Sequence, residues 1–293
     1  MKYNRSYRYA VTLIEVLVVC GVIALLVGLL GPAVQRVRAT ASQTSCANNL
    51  HQIGLALHQF HDSNEKLPPA TLHRLNAQDR YLNWHARILP YLEQDALAEI
   101  TRVDFALNPY VFHSPRHRNH SNPVPVFQCP SDPRKGVIDN NGTKVAITDY
   151  LGNSGLHRVS RDGTLYLESA VRFSEIWDGM SHTLLVGERP PPNDSSTGWY
   201  ASVGVHGSGS TTSHLGVRES TDDLEAKYLC PSPSHFIKAT LQSVCGHTHF
   251  WSFHPNGANF AFCDGSVRFF SYSADSILPA LATRAGGETI PAD

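Results

Sequence analysis

Sixteen histidines and six cysteines are the residues of this 293-residue chain best suited to chemistry. His247, His249 and His254 crowd into HTHFWSFH, and alternate positions on a strand share a face, a geometry that can hold a metal through imidazole nitrogens. No acid stands at a matching spacing, so no metal ligand is assigned. Zn²⁺ at these histidines and Ca²⁺ at Asp264 are the lesser alternatives, and no cofactor is expected. Asp264-Gly265 separates two apolar-alternating runs in FAFC-DG-SVRFF, which predicts a type I′ hairpin turn with both central residues at positive φ. His254 is expected to hydrogen-bond to that hairpin in a structural role. A nucleophile elbow, an H-E-x-x-H helix, a P-loop and a dinucleotide-binding glycine pattern are all missing from the sequence. Asp178, Ser181 and His182 are neighbours in sequence, whereas triads are assembled from distant segments. No catalytic residue is assigned, and the protein is not read as an enzyme.

These residues need elements to position them, and composition bounds what those are. An apolar share of 42% is enough for a core. A net charge of -1 gives no general attraction to nucleic acid, whose phosphates require clustered Lys and Arg. The chain is uneven at its start. Residues 1–10 carry Lys2, Arg5 and Arg8 without an acid, and residues 11–30 form an apolar run broken by one charge, Glu15. Twenty helical residues span about 30 Å, the hydrocarbon thickness of a bilayer. Basic residues before such a span stay cytoplasmic, which predicts a single-pass inner-membrane protein with an exported C-terminal head. A cleaved secretory signal fits less well because the run is longer than the usual 7–15 residues. A lipoprotein signal at Cys20 is disfavoured by the valines before it and the apolar run after it. A plain anchor leaves Glu15 unexplained, since an acid within the membrane costs about 2.5–3.5 kcal/mol.

The apolar pattern continues. Val34, Val37, Ala41, Leu50, Ile53, Leu57 and Phe60 recur at three- and four-residue steps, one helical stripe. This predicts a helix from about Leu13 to Phe60, interrupted or bent near Pro32, with a separate membrane helix and soluble helix as the alternative. Beyond it, a second helix is expected over Trp84–Ile100 with Pro90 as its awkward residue. Asn108–Asp132 reads as a loop. Strands are expected at Lys144–Leu151, Thr164–Phe173, Thr183–Glu188 and Gly198–Val205, with further strands near the C-terminus. A turn at Pro255–Gly257 would join the Asp264-Gly265 hairpin in a β-meander. Of the cysteines, Cys46, Cys129, Cys230, Cys245 and Cys263 follow the apolar run, and an exported domain is where disulfides persist. Several pairings are open. The favoured one joins Cys46 to Cys129, stapling helix to head, and Cys230 to Cys245, closing a short loop, with Cys263 a buried thiol.

The basic leader followed by Ala10 and V-T-L-I-E-V-L resembles the type IV prepilin class III signal. The resemblance implies cleavage between Ala10 and Val11 by a prepilin peptidase, N-methylation of Val11, and pairing of Glu15, the fifth mature residue, with the α-amine of a neighbouring subunit. Ala10 and Val11 depart from the more usual Gly and Phe. The stretches SCANNLHQIGLALHQFHDSNEKLPPA, WHARILPYLEQ, VPVFQCPSDP, SEIWDGMSHTLLVGE, HPNGANFAFCDGSV and TRAGGE resemble, in order, the DUF1559 family of prepilin-like proteins. Its H-x9-D-G hallmark is met by His254, Asp264 and Gly265, while His182 stands where Asn is usual. The resemblance implies an α+β, pilin-like fold: a long N-terminal transmembrane helix on an antiparallel sheet head with irregular insertions. The expected organisation is a leader at 1–10, a membrane helix at 11–30, its amphipathic continuation at 31–60 and the head at 61–293. The expected function is a processed structural subunit of a pilus, pseudopilus or type II secretion-like assembly. Its partners would be prepilin peptidase, other pilin-like subunits and membrane lipid, with no nucleic acid. The alternative is a non-polymerising, membrane-tethered module whose Pro109–Pro125 or Val203–Thr212 loop recognises a glycan, metal or surface partner.

Overall fold

The longest element, α1 (Leu13–Asn64), is a single helix that runs through Pro32. The computed structural model describes residues 12–74, 77, 79–108, 110–111, 116–140, 142–191, 193, 198–202, 213–220 and 230–288. The chain divides into two compact units, Met1–Ser42 and Gln43–Asp293. Pro32 removes one backbone hydrogen bond, yet of the interruption or bend expected there the helix shows no interruption, the Leu, Ala, Gln and Arg around it favouring helix.

In the first unit α1 starts with a capping box. Thr12 donates from its backbone N (2.8 Å) and its Oγ1 (2.9 Å) to Glu15 Oε2, while the Glu15 N–H reaches back to Thr12 Oγ1 at 3.3 Å. Such reciprocal bonds satisfy orphan donors of the first turn. Leu13, Leu17, Leu25 and Leu29 along this stretch are each more than 60% exposed. Among the described residues α1 is the one helix long and apolar enough to cross a membrane.

Among the described residues the second unit contains the rest of α1, two short helices and a thirteen-residue one, and seven strands. In chain order they are α2 (Trp84–Arg87), α3 (Asp95–Leu107), β1 (Val137–Asn140), β2 (Thr143–Ala146), β3 (Tyr150–Asn153), β4 (Leu184–Glu188), β5 (His214–Leu215), β6 (Gly257–Phe262), β7 (Val267–Ser271) and α4 (Leu278–Ala282). β1 and β2 form an antiparallel hairpin; the other five make a sheet of order β5-β3-β4-β6-β7. Pairing is antiparallel except between β3 and β5, so the sheet is mixed, and the fold class is α+β.

Apolar cores lie on both sides of this sheet, and strand alternation divides the side chains between them. Leu185 and Ala261 join Cys46, Leu50, Ile53, Ala56 and Leu57 of α1 in one core. Leu184, Phe260 and Phe262 join Phe236, Leu278 and Leu281 in the other. The helical stripe is therefore buried from Cys46 onward, whereas Val34, Val37 and Ala41 are exposed. The second unit takes α1 from Gln43, so the segment expected as 31–60 is divided at Ser42, and the helix runs on to Asn64.

Other differences have local causes. The helix expected over Trp84–Ile100 is broken by Pro90, which sits in a 3₁₀ turn (Leu89–Leu92) ended by Glu93 at φ 56°. Its second part restarts as α3. Thr164–Phe173 forms turns rather than a strand: the Thr164 and Leu165 N–H groups both donate to Asn153 O at the end of β3, and Ala70 N donates to Tyr166 O, so these backbone groups bind separate segments instead of one ladder. Of Gly198–Val205, residues 198–202 are described and contribute one bridge, Leu82 to Ala201. The expected meander is absent because Ser252 Oγ donates to Gly257 O and Trp251 N to Glu188 O, which draws the segment before β6 out of strand pairing with it. At the β6–β7 turn Gly265 has φ 83°, but Asp264 is not at positive φ. Gly265 N donates to Phe262 O and Phe262 N to Ser266 O. This is a three-residue loop, a type I turn followed by a left-handed glycine, rather than type I′.

Candidate functional site

The last residue of β4, Glu188, is an acid at the end of an apolar run and is 1% exposed. Both its carboxylate oxygens are held from β6: Asn259 N donates to Oε2 at 2.7 Å and Asn259 Nδ2 to Oε1 at 3.1 Å. His254, 2% exposed, places Nε2 at 3.3 Å from Glu188 Oε1 and 3.7 Å from Cys129 Sγ. Its other ring nitrogen, Nδ1, is 3.5 Å from Ser131 Oγ, and its backbone N–H donates to Ser252 Oγ at 2.9 Å. Cys129 is disulfide-bonded to Cys46 of α1. Three elements distant in sequence thus converge on one buried point. Next to it, Tyr150 pairs in register with Glu188, donates from its hydroxyl to Cys46 O at 3.4 Å, and receives Asn49 Nδ2 at 3.3 Å.

The surroundings disfavour added charge. Burial, with the negative charges of Glu188 and Asp149 behind it, holds the Tyr150 hydroxyl well above its ordinary value. Burial pushes His85, which touches Tyr150 O at 2.9 Å, down to about 3. Asp149 accepts from Cys129 N at 2.7 Å, and burial followed by the charge of Asp132 raises its pKa well above the usual carboxylate range. Burial, then repulsion from Arg134 and Arg158, lowers Arg189 to about 9. Desolvation is the first cause in every case, because charge loses its hydration there.

The residues singled out from the sequence have separate fates. His254 faces Glu188 and the disulfide, not the hairpin turn to which it was expected to bond. His249 is buried and pushed by that burial down to about 4, and His247 ends a 3₁₀ turn. The buried group of ligand-type side chains contains Cys46, Cys129, Glu188 and His254 and neither of the other two histidines. Asp264 Oδ1 accepts from Ser266 N at 2.9 Å, closing the turn, and Gly265 lies under α1, where a Cβ on Gly54 would be 3.9 Å from Gly265 Cα. Asp178 accepts from Gly286 N (2.7 Å) and Gly287 N (2.9 Å), anchoring the C-terminal glycines. Cys230 and Cys245 form the second disulfide, and Cys263 is a buried thiol. Ala10, Val11 and Val203–Thr212 lie outside the described residues. The sequence reading missed Glu188 and Asn259; the available signal was a charge closing LLVGE, the same anomaly that drew attention to Glu15.

No curated protein and no solved structure matches the chain. The family model SBP_bac_10, described as a protein of unknown function (DUF1559), matches residues 35–276. That range includes the helix segment bearing Cys46, the Cys129 loop, Glu188 and the whole of His254 to Gly265, and the chain belongs to the DUF1559 family.

Proposed function

We propose that this protein is a prepilin-like, membrane-anchored structural subunit, processed between Ala10 and Val11 and assembled with other pilin-like chains through the N-terminal part of α1. The observation that carries the reading is the exposed apolar surface of Leu13–Leu30 with one acid in its first turn. Exposed apolar surface of this extent calls for lipid or another helix. Glu15 is suited to a second partner: among the described residues both Thr12 bonds fall on Oε2, and Oε1 would take the α-amine of a neighbouring subunit. Such a pair offsets the cost of the carboxylate only where helices stack. The head would be exported, in keeping with its two disulfides.

N-terminal mass spectrometry of the native protein tests the processing step. N-methyl-Val11 is expected, and an intact Met1 or a lipidated Cys20 would refute it. Glu15→Val should insert into membranes as before but lose cross-linked multimers; undiminished multimers would rule out the pairing.

One observation favours the tethered binding module as a second reading. A groove of about 920 Å³ in the head is lined by Leu82, Ala86, Pro90 and Phe105 around the Arg87–Asp79 ion pair, within the size range of small-molecule sites. A monomeric, uncleaved protein in native membranes would support that reading over assembly.

A further inference from the structure

The ligand atoms of Cys46, Cys129, Glu188 and His254 lie within 4.8 Å of one another, and all four residues are buried. Thiolate, imidazole and carboxylate are the donors that Zn²⁺ takes, at about 2.3, 2.0–2.1 and 2.0–2.2 Å. A tetrahedron with those bond lengths has edges of about 3.5 Å between sulfur and nitrogen, about 3.4 Å between nitrogen and oxygen, and about 3.8 Å between two sulfurs. His254 Nε2 already stands 3.7 Å from Cys129 Sγ and 3.3 Å from Glu188 Oε1. Two of the six edges are therefore near their required length while the disulfide is intact, and the sulfur–sulfur edge must open. The outer contacts also suit a metal centre, where ligands are oriented by hydrogen bonds of their own. Asn259 holds both carboxylate oxygens, and Ser131 Oγ stands beside the imidazole nitrogen that faces away from the cluster. A disulfide alone has no need of them: it is neutral, and burying an imidazole and a carboxylate beside it costs desolvation.

We propose that the dithiol form of the head binds one Zn²⁺-like divalent cation through Cys46, Cys129, Glu188 and His254, and that the Cys46–Cys129 disulfide is the exclusive alternative state of the same site. The chain is synthesised with both sulfurs as thiols, so the metal-binding form needs no reductant. Cation binding displaces the two thiol protons without electron transfer. Disulfide formation instead removes two protons and two electrons, which pass to an exported protein disulfide of the oxidising thiol-exchange class, itself reduced to a dithiol. The cation leaves as the sulfurs join.

The test uses full-length protein in detergent micelles carrying Cys230→Ser and Cys245→Ser, so that one disulfide remains. Oxidised and phosphine-reduced samples are titrated anaerobically with Co²⁺, then Zn²⁺. The reduced sample should take one equivalent of Co²⁺ with a thiolate charge-transfer band that Zn²⁺ abolishes, and the oxidised sample none. Glu188→Gln or His254→Ala should weaken Co²⁺ binding by about tenfold or more, by analogy with losses at metal-supporting residues. A reduced chain without the thiolate band, folded or not, overturns the proposal. So does equal affinity in both variants and the parent.

Discussion

At the scale of single residues, two acids set in apolar surroundings organise what is distinctive here, and each is held in a different way. Glu15 closes the first turn of α1 on Thr12 through its Oε2. Glu188 is held by Asn259 on both oxygens and faces His254. Removing the imidazole leaves a buried carboxylate oxygen with one partner fewer, so His254→Ala should destabilise the oxidised protein by about 1–3 kcal/mol. Urea unfolding followed by circular dichroism measures this, and an unchanged midpoint would mean that the 3.3 Å contact contributes nothing. The three residues His254, Asp264 and Gly265 serve two separate structural ends. His254 belongs to the buried cluster, whereas Asp264 and Gly265 shape the turn beneath α1.

At the scale of elements, the β6–β7 turn decides how the helix meets the sheet. Gly265 has φ 83°, and a Cβ built on it meets nothing within 4 Å. Its substitution therefore tests backbone strain without a clash. Gly265→Ala should cost about 1–2 kcal/mol, and Gly265→Asn less, because Asn tolerates the left-handed region. Thermal melts of the two variants check the order. Gly187 on β4 is different: a Cβ there would stand 2.6 Å from Phe260 Cε1 and 2.8 Å from Phe250 Cδ1. Gly187→Ala must move two aromatic rings in a packed core, at a cost of about 1–3 kcal/mol or more. Local strand signals identified β4 and the β6–β7 pair but also suggested a strand at Thr164–Phe173, where the backbone groups of Thr164 and Leu165 bind the end of β3 and that of Tyr166 binds Ala70. β-propensity describes a residue's fit to a half-buried pleated surface, and it carries no information on which surface is available.

At the scale of the whole molecule, stability should depend on acidity and on the covalent links. His85 and His214 are held by burial at about 3, and His249 at about 4, below the ordinary 6.5. Their folded-state pKa values are depressed, so their neutral forms support folding fully above about pH 6.5, and the support falls as pH drops toward 3–4. Between those limits each contributes a slope of about 1.4 kcal/mol per pH unit. Asp149, raised by burial and by Asp132, acts with the opposite sign: it favours the fold at low pH and loses that contribution as pH rises through its folded pKa. Burial also lowers His120 and raises Glu219; four histidines outweigh two carboxyls in the window from pH 6.5 to 4, so the melting temperature should fall across it, and a flat profile would contradict the buried neutral histidines. The Cys230–Cys245 bond spans 15 residues and the Cys46–Cys129 bond 83. Loop-closure entropy predicts losses of about 3 and about 4–5 kcal/mol respectively when each pair is replaced by serine, measurable as separate shifts in urea midpoint.

Periodicity, charge and turn chemistry are local, and the features they govern were legible along the chain: the long apolar helix, its lone acid and the glycine turn. Three-dimensional packing alone determined that the buried stripe of α1 begins at Cys46, that β5 joins β3 in parallel, and that Glu188, Asn259 and His254 meet the Cys46–Cys129 bond. The contacts at that point join residues between 66 and 125 positions apart, and no local pattern encodes them. Only burial on both faces of a mixed sheet brings a helix cysteine, a loop cysteine, a strand carboxylate and a histidine to one point.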